Sequence, residues 1–333
     1  MEKTQIPLID QYNRHLNYLR ISITDRCNLQ CIYCMPQGGL PKLRHEDILT
    51  YEEILRLARI ATRLGVRKIR LTGGDPFLRK GVFDFIPRLT ALSGLEDVSI
   101  TTNGIYLKGN LERLKSYGIK RLNVSLDTLQ REKYQRITGY DGFAAVWEGI
   151  ELATKLGFDP VKINVVVIKG LNEDEILDFA RLSLRYPFHV RFIEYMAIGV
   201  TDPDVPLCHI PSSVIKDQLE DHGELVPIPK SAYGGPAERF KFDGAPGEIG
   251  IISPVTNHFC HRCNRLRLTA SGYLRPCLLS DREEDLRGPL RNGASDSDLA
   301  AIFLAAASKK PHEHHAASEQ SIAFSGQMSS IGG

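Results

Sequence analysis

Several features that would assign the chain to a specialised class of protein are missing from its sequence. No apolar run approaches the roughly 18 residues that a transmembrane helix requires. Residues 1–5 contain no apolar segment of the kind found in secretory signal peptides. Lys and Arg number 42 against 40 Asp and Glu, so the net charge of +2 provides little general attraction for nucleic acid. These absences predict a cytoplasmic protein that binds neither membrane nor nucleic acid.

Cysteine is also scarce, with seven in 333 residues, too few for a disulfide framework. Cys208 stands alone, and the other six form a C-x3-C-x2-C group and a C-x2-C-x13-C group: Cys27, Cys31 and Cys34, then Cys260, Cys263 and Cys277. In a cytosolic protein such groups hold metal more often than they form disulfides. Structural zinc sites and ordinary iron–sulfur clusters take four protein ligands, so three thiols leave one position for a ligand from outside the chain.

Residues 15–196 alternate short β-rich runs with helical patterns. The predicted strands are 18–24, 68–72, 98–102, 121–126, 161–168 and 190–195, and the predicted helices are 51–64, 83–92, 107–117, 143–156 and 173–184. Six strand–helix repeats predict a parallel sheet with right-handed crossovers. Because the first cysteine group directly follows the first strand, we expect an α/β fold with a partial (βα)6 TIM-like barrel.

Polar or glycine-rich groups follow five of these strands, at residues 25–27, 72–76, 101–104, 125–127 and 194–196. In barrels, chemistry concentrates where the strands end and the following loops begin. The five groups therefore predict one functional site at this end of the barrel.

The pattern changes after about residue 200, where seven prolines between 203 and 246 interrupt the helical periodicity. We predict two domains, a barrel at residues 1–200 and an extension at residues 201–333 that covers the open side of the barrel. The second cysteine group would then face the first. Composition predicts disorder for the small, polar tail from Ala317 onward.

Arginines concentrate around the second cysteine group. Arg265 and Arg267 are two residues apart on a predicted strand, so their side chains point to the same face. Guanidinium groups bind phosphate in a bidentate fork, and a same-face pair beside an open metal site suits a polyphosphate.

The spacing Cys27-x3-Cys31-x-Tyr33-Cys34 resembles the signature of the radical S-adenosylmethionine (SAM) superfamily. The resemblance implies a 4Fe-4S cluster on these three cysteines, with SAM bound to its fourth iron. Residues 20–27 (RISITDRC), the block from Cys260 to Cys277 and the terminal Gly-Gly are similar to the GTP 3′,8-cyclase family of molybdenum cofactor biosynthesis. This likeness extends from about residue 12 to the C-terminus.

The resemblance implies a role for each matching residue. Those implied to contact SAM are Tyr33, Gly74, Ser125 and Met196. Those implied to bind GTP are Arg20, Arg70, Thr101, Lys162, Arg265, Leu266 and Arg267. The implied catalytic residues are Arg265, Arg267, Gly332 and Gly333, the last two on a tail that reaches into the active site. A second 4Fe-4S cluster on Cys260, Cys263 and Cys277 would bind the guanine base.

The implied reaction begins when an electron from the first cluster cleaves SAM to a 5′-deoxyadenosyl radical. This radical removes hydrogen from C3′ of GTP, and the carbon radical attacks C8 to give (8S)-3′,8-cyclo-7,8-dihydroguanosine 5′-triphosphate. The implied partners are an electron donor, cyclic pyranopterin monophosphate synthase as the next enzyme, and a second copy in a homodimer. One residue departs from the family pattern: Asp75 stands where the family usually has Glu, so no SAM contact is assigned to it.

Two other hypotheses stay open on the residues alone. The first is a radical SAM enzyme with an auxiliary cluster that modifies a peptide, although such enzymes usually carry more C-terminal cysteines. The second is a non-catalytic binding module with two zinc ions, completed by His45 or His15 at one site and by His258 or His261 at the other.

Overall fold

The computed structural model describes residues 7–36, 39, 41–198, 208–229, 235–314 and 328–332. Six parallel strands pair in chain order: β1 (Tyr18–Ser22), β2 (Lys68–Thr72), β3 (Asp97–Thr102), β4 (Arg121–Ser125), β5 (Val161–Lys169) and β6 (Phe188–Glu194). The helices between them are α1 (Tyr51–Arg63), α2 (Val82–Thr90), α3 (Leu111–Ser116), α4 (Arg131–Thr138), α5 (Phe143–Lys155) and α6 (Ile176–Arg185).

The C-terminal part adds strands to both edges of this sheet. Its strands are β7 (Cys208–His209), β8 (Leu225–Pro227), β9 (Glu238–Phe242), β10 (Glu248–Ile252), β11 (Arg265–Leu268), β12 (Tyr273–Arg275) and β13 (Glu284–Asp285). Its helices are α7 (Ser212–His222), α8 (Arg287–Arg291), α9 (Asp296–Ser308) and α10 (Met328–Ile331). Strand β10 runs parallel to β6, and β11 runs parallel to β1. The predicted partial barrel with a C-terminal extension is confirmed, and the extension widens the barrel wall as well.

Helix α1 shows how local sequence sets these elements. The Thr50 side chain accepts the Glu53 N–H while the Glu53 carboxylate accepts the Thr50 N–H, which forms a capping box. Such a cap contributes about 1 kcal/mol. Gly65, with φ of +94°, follows the last turn in the left-handed conformation that terminates helices.

Alternation along the strands separates the apolar core from a polar barrel interior. On β1, Leu19 and Ile21 are fully buried in the core between sheet and helices. The intervening Tyr18 and Arg20 line the interior cavity. Successive side chains of a strand point to opposite faces, so this pattern directs cations inward along the barrel.

The sequence patterns missed helices α4, α7 and α9. Helix α7 begins directly after Pro211, so this proline marks the start of a helix and not, as expected, its interruption. Helix α9 begins with a capping box between Ser295 and Asp298. The prediction of a disordered tail is wrong for residues 328–332, because α10 is formed and Ile331 is buried.

The structure contains no helix, within its described residues, that has both the length and the apolar character to span a membrane.

Candidate active site

A cavity of about 310 Å³ lies inside the barrel and is bordered by both cysteine groups: Cys27, Cys31, Cys34, Cys260, Cys263 and Cys277. All six thiols are free and partly buried. In the described part of the chain, no three His, Cys, Asp or Glu side chains converge closely enough to hold a single metal ion. The cysteines of both groups line the cavity instead, which leaves room beside each group for a multi-iron cluster.

The first cysteine group forms a compact loop after β1. The N–H groups of Cys34 and Met35 donate to the Cys31 carbonyl at 2.8 and 3.0 Å. Burial and the neighbouring Cys27 thiol raise the pKa of Cys34 to about 12. Three buried thiols this close together resist ionisation on their own, whereas coordinated iron stabilises thiolates. The donor set therefore fits an iron–sulfur cluster.

Tyr33 is tied to the opposite strands through a buried carboxylate. Its hydroxyl donates to Asp127 Oδ2 at 2.6 Å, and Asp127 Oδ1 accepts the Val166 N–H at 2.8 Å. Burial raises the pKa of Asp127 to about 6, although both hydrogen bonds oppose the shift. Asp127 therefore connects the cysteine loop to the ends of β4 and β5.

Gly74 packs against the backbone of the cysteine loop. A Cβ there would lie 2.2 Å from the Arg26 carbonyl oxygen and 2.9 Å from the Cys27 nitrogen. We expect Gly74→Ala to displace the loop, destabilise the fold by about 1–3 kcal/mol and lower the iron bound per chain. Iron and sulfide analysis with thermal unfolding measures both effects. Gly109→Ala is the control because its Cβ would meet open space; normal iron loading in Gly74→Ala would contradict the prediction.

A dense group of cations covers the barrel interior. In the sheet register, Arg20 lies between Arg267 and Arg70, and all three line the cavity. Burial and Arg265 lower the pKa of Arg267 to about 9, and burial and Arg70 lower that of Arg191 to about 9. Crowded, buried like charges are destabilised by one another, so this interior favours a multiply charged anion.

The C-terminal tail reaches this interior. Arg267 Nη1 donates to the Gly332 carbonyl oxygen. Gly332 adopts φ of +75°, and a Cβ there would lie 2.5 Å from Thr72 Cγ2. Ile331 packs with Ile198 and Leu279. Gly333 lies outside the described residues.

The second cysteine group is held by buried cations. Lys310 Nζ donates to the carbonyl oxygens of Arg265 and Pro276 at 2.9 and 2.5 Å. Arg14 Nη1 donates to the Cys260 carbonyl at 2.5 Å. Burial alone would raise the pKa of Cys263, but Lys310 and Arg265 lower it to about 6. A thiol of this kind is largely ionised near neutral pH and ready to bind metal.

Most residues that the sequence assigned to ligands lie on this one cavity. Its wall includes Tyr33, Gly74, Ser125, Met196, Arg20, Arg70, Thr101, Arg265 and Arg267. The Leu266 side chain instead points into the apolar core, so only its backbone is left for binding GTP. Lys162 is buried beside the cavity, outside the set of residues that line it.

Among the polar residues of the cavity, Arg191 was not assigned to the site by the sequence, and Asn103 and Asp127 were placed there only as members of the groups at 101–104 and 125–127. Arg191 lies on a predicted strand with its side chain inward, and the alternation that selected Arg265 and Arg267 also applies to it. Glu194, at the end of β6, has a structural role. Its carboxylate accepts the N–H groups of Ser212 and Val255 at 2.7 and 2.8 Å and so fastens the extension to the barrel.

Comparison with known proteins agrees with this arrangement. The sequence matches the family models for the radical SAM superfamily at residues 21–183 and for Molybdenum Cofactor Synthesis C at residues 188–316. It is 52% identical to the GTP 3′,8-cyclase of Moorella thermoacetica over 92% of this chain and 94% of that one. The chain belongs to the GTP 3′,8-cyclase family. The family member from Pelotomaculum thermopropionicum is 47% identical, with 97% of this chain and 99% of that protein covered.

Among solved structures, Streptococcus suis SuiB bound to S-adenosylmethionine matches with a TM-score of 0.63 at 14% identity. The match covers 88% of this chain and 69% of SuiB, and at this identity it shows the shared fold alone. As a member of the GTP 3′,8-cyclase family, the chain is a radical SAM enzyme that uses a 4Fe-4S cluster and SAM. The hypothesis of a two-zinc binding module is therefore wrong. The predicted domain boundary at residue 200 stays a prediction.

Proposed function

We propose that this protein converts GTP into (8S)-3′,8-cyclo-7,8-dihydroguanosine 5′-triphosphate, the first step of molybdenum cofactor biosynthesis. One observation carries the proposal: a single cavity joins two groups of three cysteines to a wall of buried arginines. The names of the relatives support it. A peptide substrate is not favoured, because a largely neutral backbone would leave the cationic interior without counter-charge.

The first cysteine group and its surroundings would hold one cluster and SAM. Cys27, Cys31 and Cys34 would be the cluster ligands, and Tyr33, Gly74, Ser125 and Met196, which line the same cavity, would contact SAM. When bound, the cluster and SAM supply a 5′-deoxyadenosyl radical by reductive cleavage. Asp127 fixes Tyr33, and the backbone at Gly74 closes against the cysteine loop, so this side of the cavity is rigid before ligands enter.

Cys260, Cys263 and Cys277 would hold the second 4Fe-4S cluster, whose open position takes the guanine base. Lys310 and Arg265 place positive charge beside Cys263 and stabilise an anionic cluster there. Lys310 also bridges β11 and the residue before Cys277 through two carbonyls. One buried side chain thus positions two of the three ligands.

The arginine wall would bind the triphosphate and ribose. Arg20, Arg70, Arg265 and Arg267 face the cavity between the two cysteine groups, and Thr101 adds a hydroxyl. Guanidinium forks fix phosphate oxygens in direction as well as in distance. Holding both ends of the nucleotide keeps C3′ and C8 in reacting geometry, which removes much of the entropic barrier to ring closure. Gly332, bonded to Arg267, would close the cavity against water.

We expect Lys162 to take up a proton when GTP binds. Burial, Arg191 and Arg70 lower the pKa of Lys162 to about 5, so its amine is neutral near neutral pH in the free protein. Nearby phosphates favour the charged form and raise this pKa. The complex therefore holds more protons than the free protein, and affinity falls as pH rises from about 5 towards the pKa in the complex.

Anaerobic titration calorimetry in Tris and in HEPES measures this uptake, since the two buffers differ in ionisation enthalpy. We expect Lys162→Met to lose the uptake and Lys108→Met, an exposed lysine, to keep it. Identical binding enthalpies for the wild type in both buffers would contradict the prediction.

The proposed activity is tested by incubating the reconstituted protein anaerobically with SAM, dithionite and GTP. Mass spectrometry should detect 5′-deoxyadenosine and the cyclised nucleotide in proportion. Formation of 5′-deoxyadenosine without cyclised GTP would support the radical chemistry and overturn the assignment of GTP as the substrate. If neither product forms although the protein holds about eight irons per chain, enough for two clusters, the proposed activity itself is overturned.

For its setting we propose a cytoplasmic homodimer that receives electrons from a separate reductant. Its product would pass to cyclic pyranopterin monophosphate synthase. Size-exclusion chromatography with light scattering tests the dimer, and conversion of the product in a coupled assay with that synthase tests the transfer.

A further inference from the structure

The amide of Asn103, just after β3, lies against a thiol of the first cysteine group. Asn103 Nδ2 donates to Cys27 Sγ at 3.7 Å, within hydrogen-bond range for sulfur. The Leu29 N–H donates to the same sulfur at 3.5 Å. The Asn103 side chain thus stabilises negative charge on this sulfur.

Other contacts of the amide fix which end faces the thiol. Asn103 Oδ1 accepts the Ile105 N–H at 3.1 Å, which requires the oxygen on that side. Nδ2 also donates to Asn28 Oδ1 at 2.7 Å. An amide nitrogen has two hydrogens, and these two contacts use both. The direction of the N–H···S bond therefore follows from the network around it.

Asp75 clamps the backbone that carries this amide. Its Oδ2 accepts the Thr102 hydroxyl and the Asn103 N–H, both at 2.7 Å, and its Oδ1 accepts the Phe77 N–H at 2.9 Å. Asp75 is fully buried, and all three donors belong to this chain. The carboxylate is thus committed to holding β3 against the loop after β2.

We propose that Asn103 is a positioning residue that raises the reduction potential of the first cluster through its bond to Cys27, with Asp75 holding Asn103 in place. The inference rests on the proposed function only in requiring a cluster on Cys27. A hydrogen bond to a ligating sulfur draws negative charge from it and favours the reduced, more negative cluster. Losing the bond lowers the potential, and a carboxylate in place of the amide lowers it further.

The test is a redox titration of the reconstituted protein, followed by electron paramagnetic resonance. The signal that changes on addition of SAM identifies the first cluster when the second is also reduced. We expect Asn103→Leu to shift its midpoint to more negative potential and Asn103→Asp to shift it more. Asn110→Asp is the matched control, because that amide makes an exposed bond to the Tyr106 carbonyl.

Unchanged midpoints in both Asn103 variants, with normal iron content, would overturn the proposal. If those variants fail to bind iron, Thr102→Val decides, since it keeps Asn103, removes one of the three donors to Asp75 and changes no charge near Cys27. A negative shift there supports the proposal, and a wild-type midpoint overturns it. The midpoint potential can be measured whether or not GTP is cyclised. A wild-type protein that holds a SAM-responsive cluster but forms no cyclised GTP would overturn the proposed function and leave the inference about Asn103 open to the same titration.

Discussion

Replacing both Arg265 and Arg267 with alanine is expected to abolish GTP binding while SAM cleavage without substrate continues. The two side chains face the same cavity from β11, where Arg267 is paired in register with Arg20. A hydrogen bond to a charged group contributes about 1.5–3 kcal/mol. Two such losses weaken GTP binding by roughly 10²- to 10⁴-fold.

Equilibrium binding of GTP and formation of 5′-deoxyadenosine measure the two halves of this prediction. The matched control replaces Arg44 and Arg88, whose side chains are 74% and 52% exposed, and removes the same charge from the surface. None of the three cysteines of the first group lies on β11, so its iron should remain. Undiminished GTP affinity in the double variant would contradict the role given to the pair.

Removal of Gly332 and Gly333 is expected to stop cyclisation without unfolding the protein. Gly332 lies against Thr72 and Ser22 at the ends of β2 and β1, and its carbonyl accepts a hydrogen bond from Arg267. The tail therefore orients Arg267, one of the arginines that face the cavity. Its removal exposes little apolar surface, since Ile331 and its packing partners remain.

Thermal unfolding and product analysis separate these effects. Gly332→Ala should act in the same direction, because a Cβ would clash with Thr72 in addition to straining a positive φ. Gly293 also has a positive φ, but a Cβ there would meet open space. Gly293→Ala therefore measures the effect of backbone strain without a clash at the cavity. Full cyclisation by the truncated protein would show that the tail has no part in the reaction.

Local sequence was sufficient for much of the fold. The strand predicted at 68–72 matches β2, and the helix predicted at 51–64 differs from α1 by one residue. These elements have strong alternation or a capping box, signals that depend on neighbouring residues alone. Helix α7 was missed because the prolines on either side of it suggested interruption, although Pro211 lies directly before its first turn.

For the candidate site, too, some features depend on local sequence and others on long-range strand pairing. The cysteine spacing and the same-face arginines are local features; they predicted two metal-binding groups and a phosphate-binding role for β11, and the residues concerned line one cavity. Alternation along a strand fixes which residues share a face but not which distant strand lies beside it.

By itself the sequence determined the partial barrel, the family and the types of residue that line the cavity. Only the tertiary structure decided that β11 pairs with β1, which places Arg267 beside Arg20. It alone joined Asn103 to Cys27, 76 positions apart, and Tyr33 to Asp127, 94 positions apart. These contacts depend on long-range strand register and loop packing, where many weak interactions across the whole chain select one arrangement.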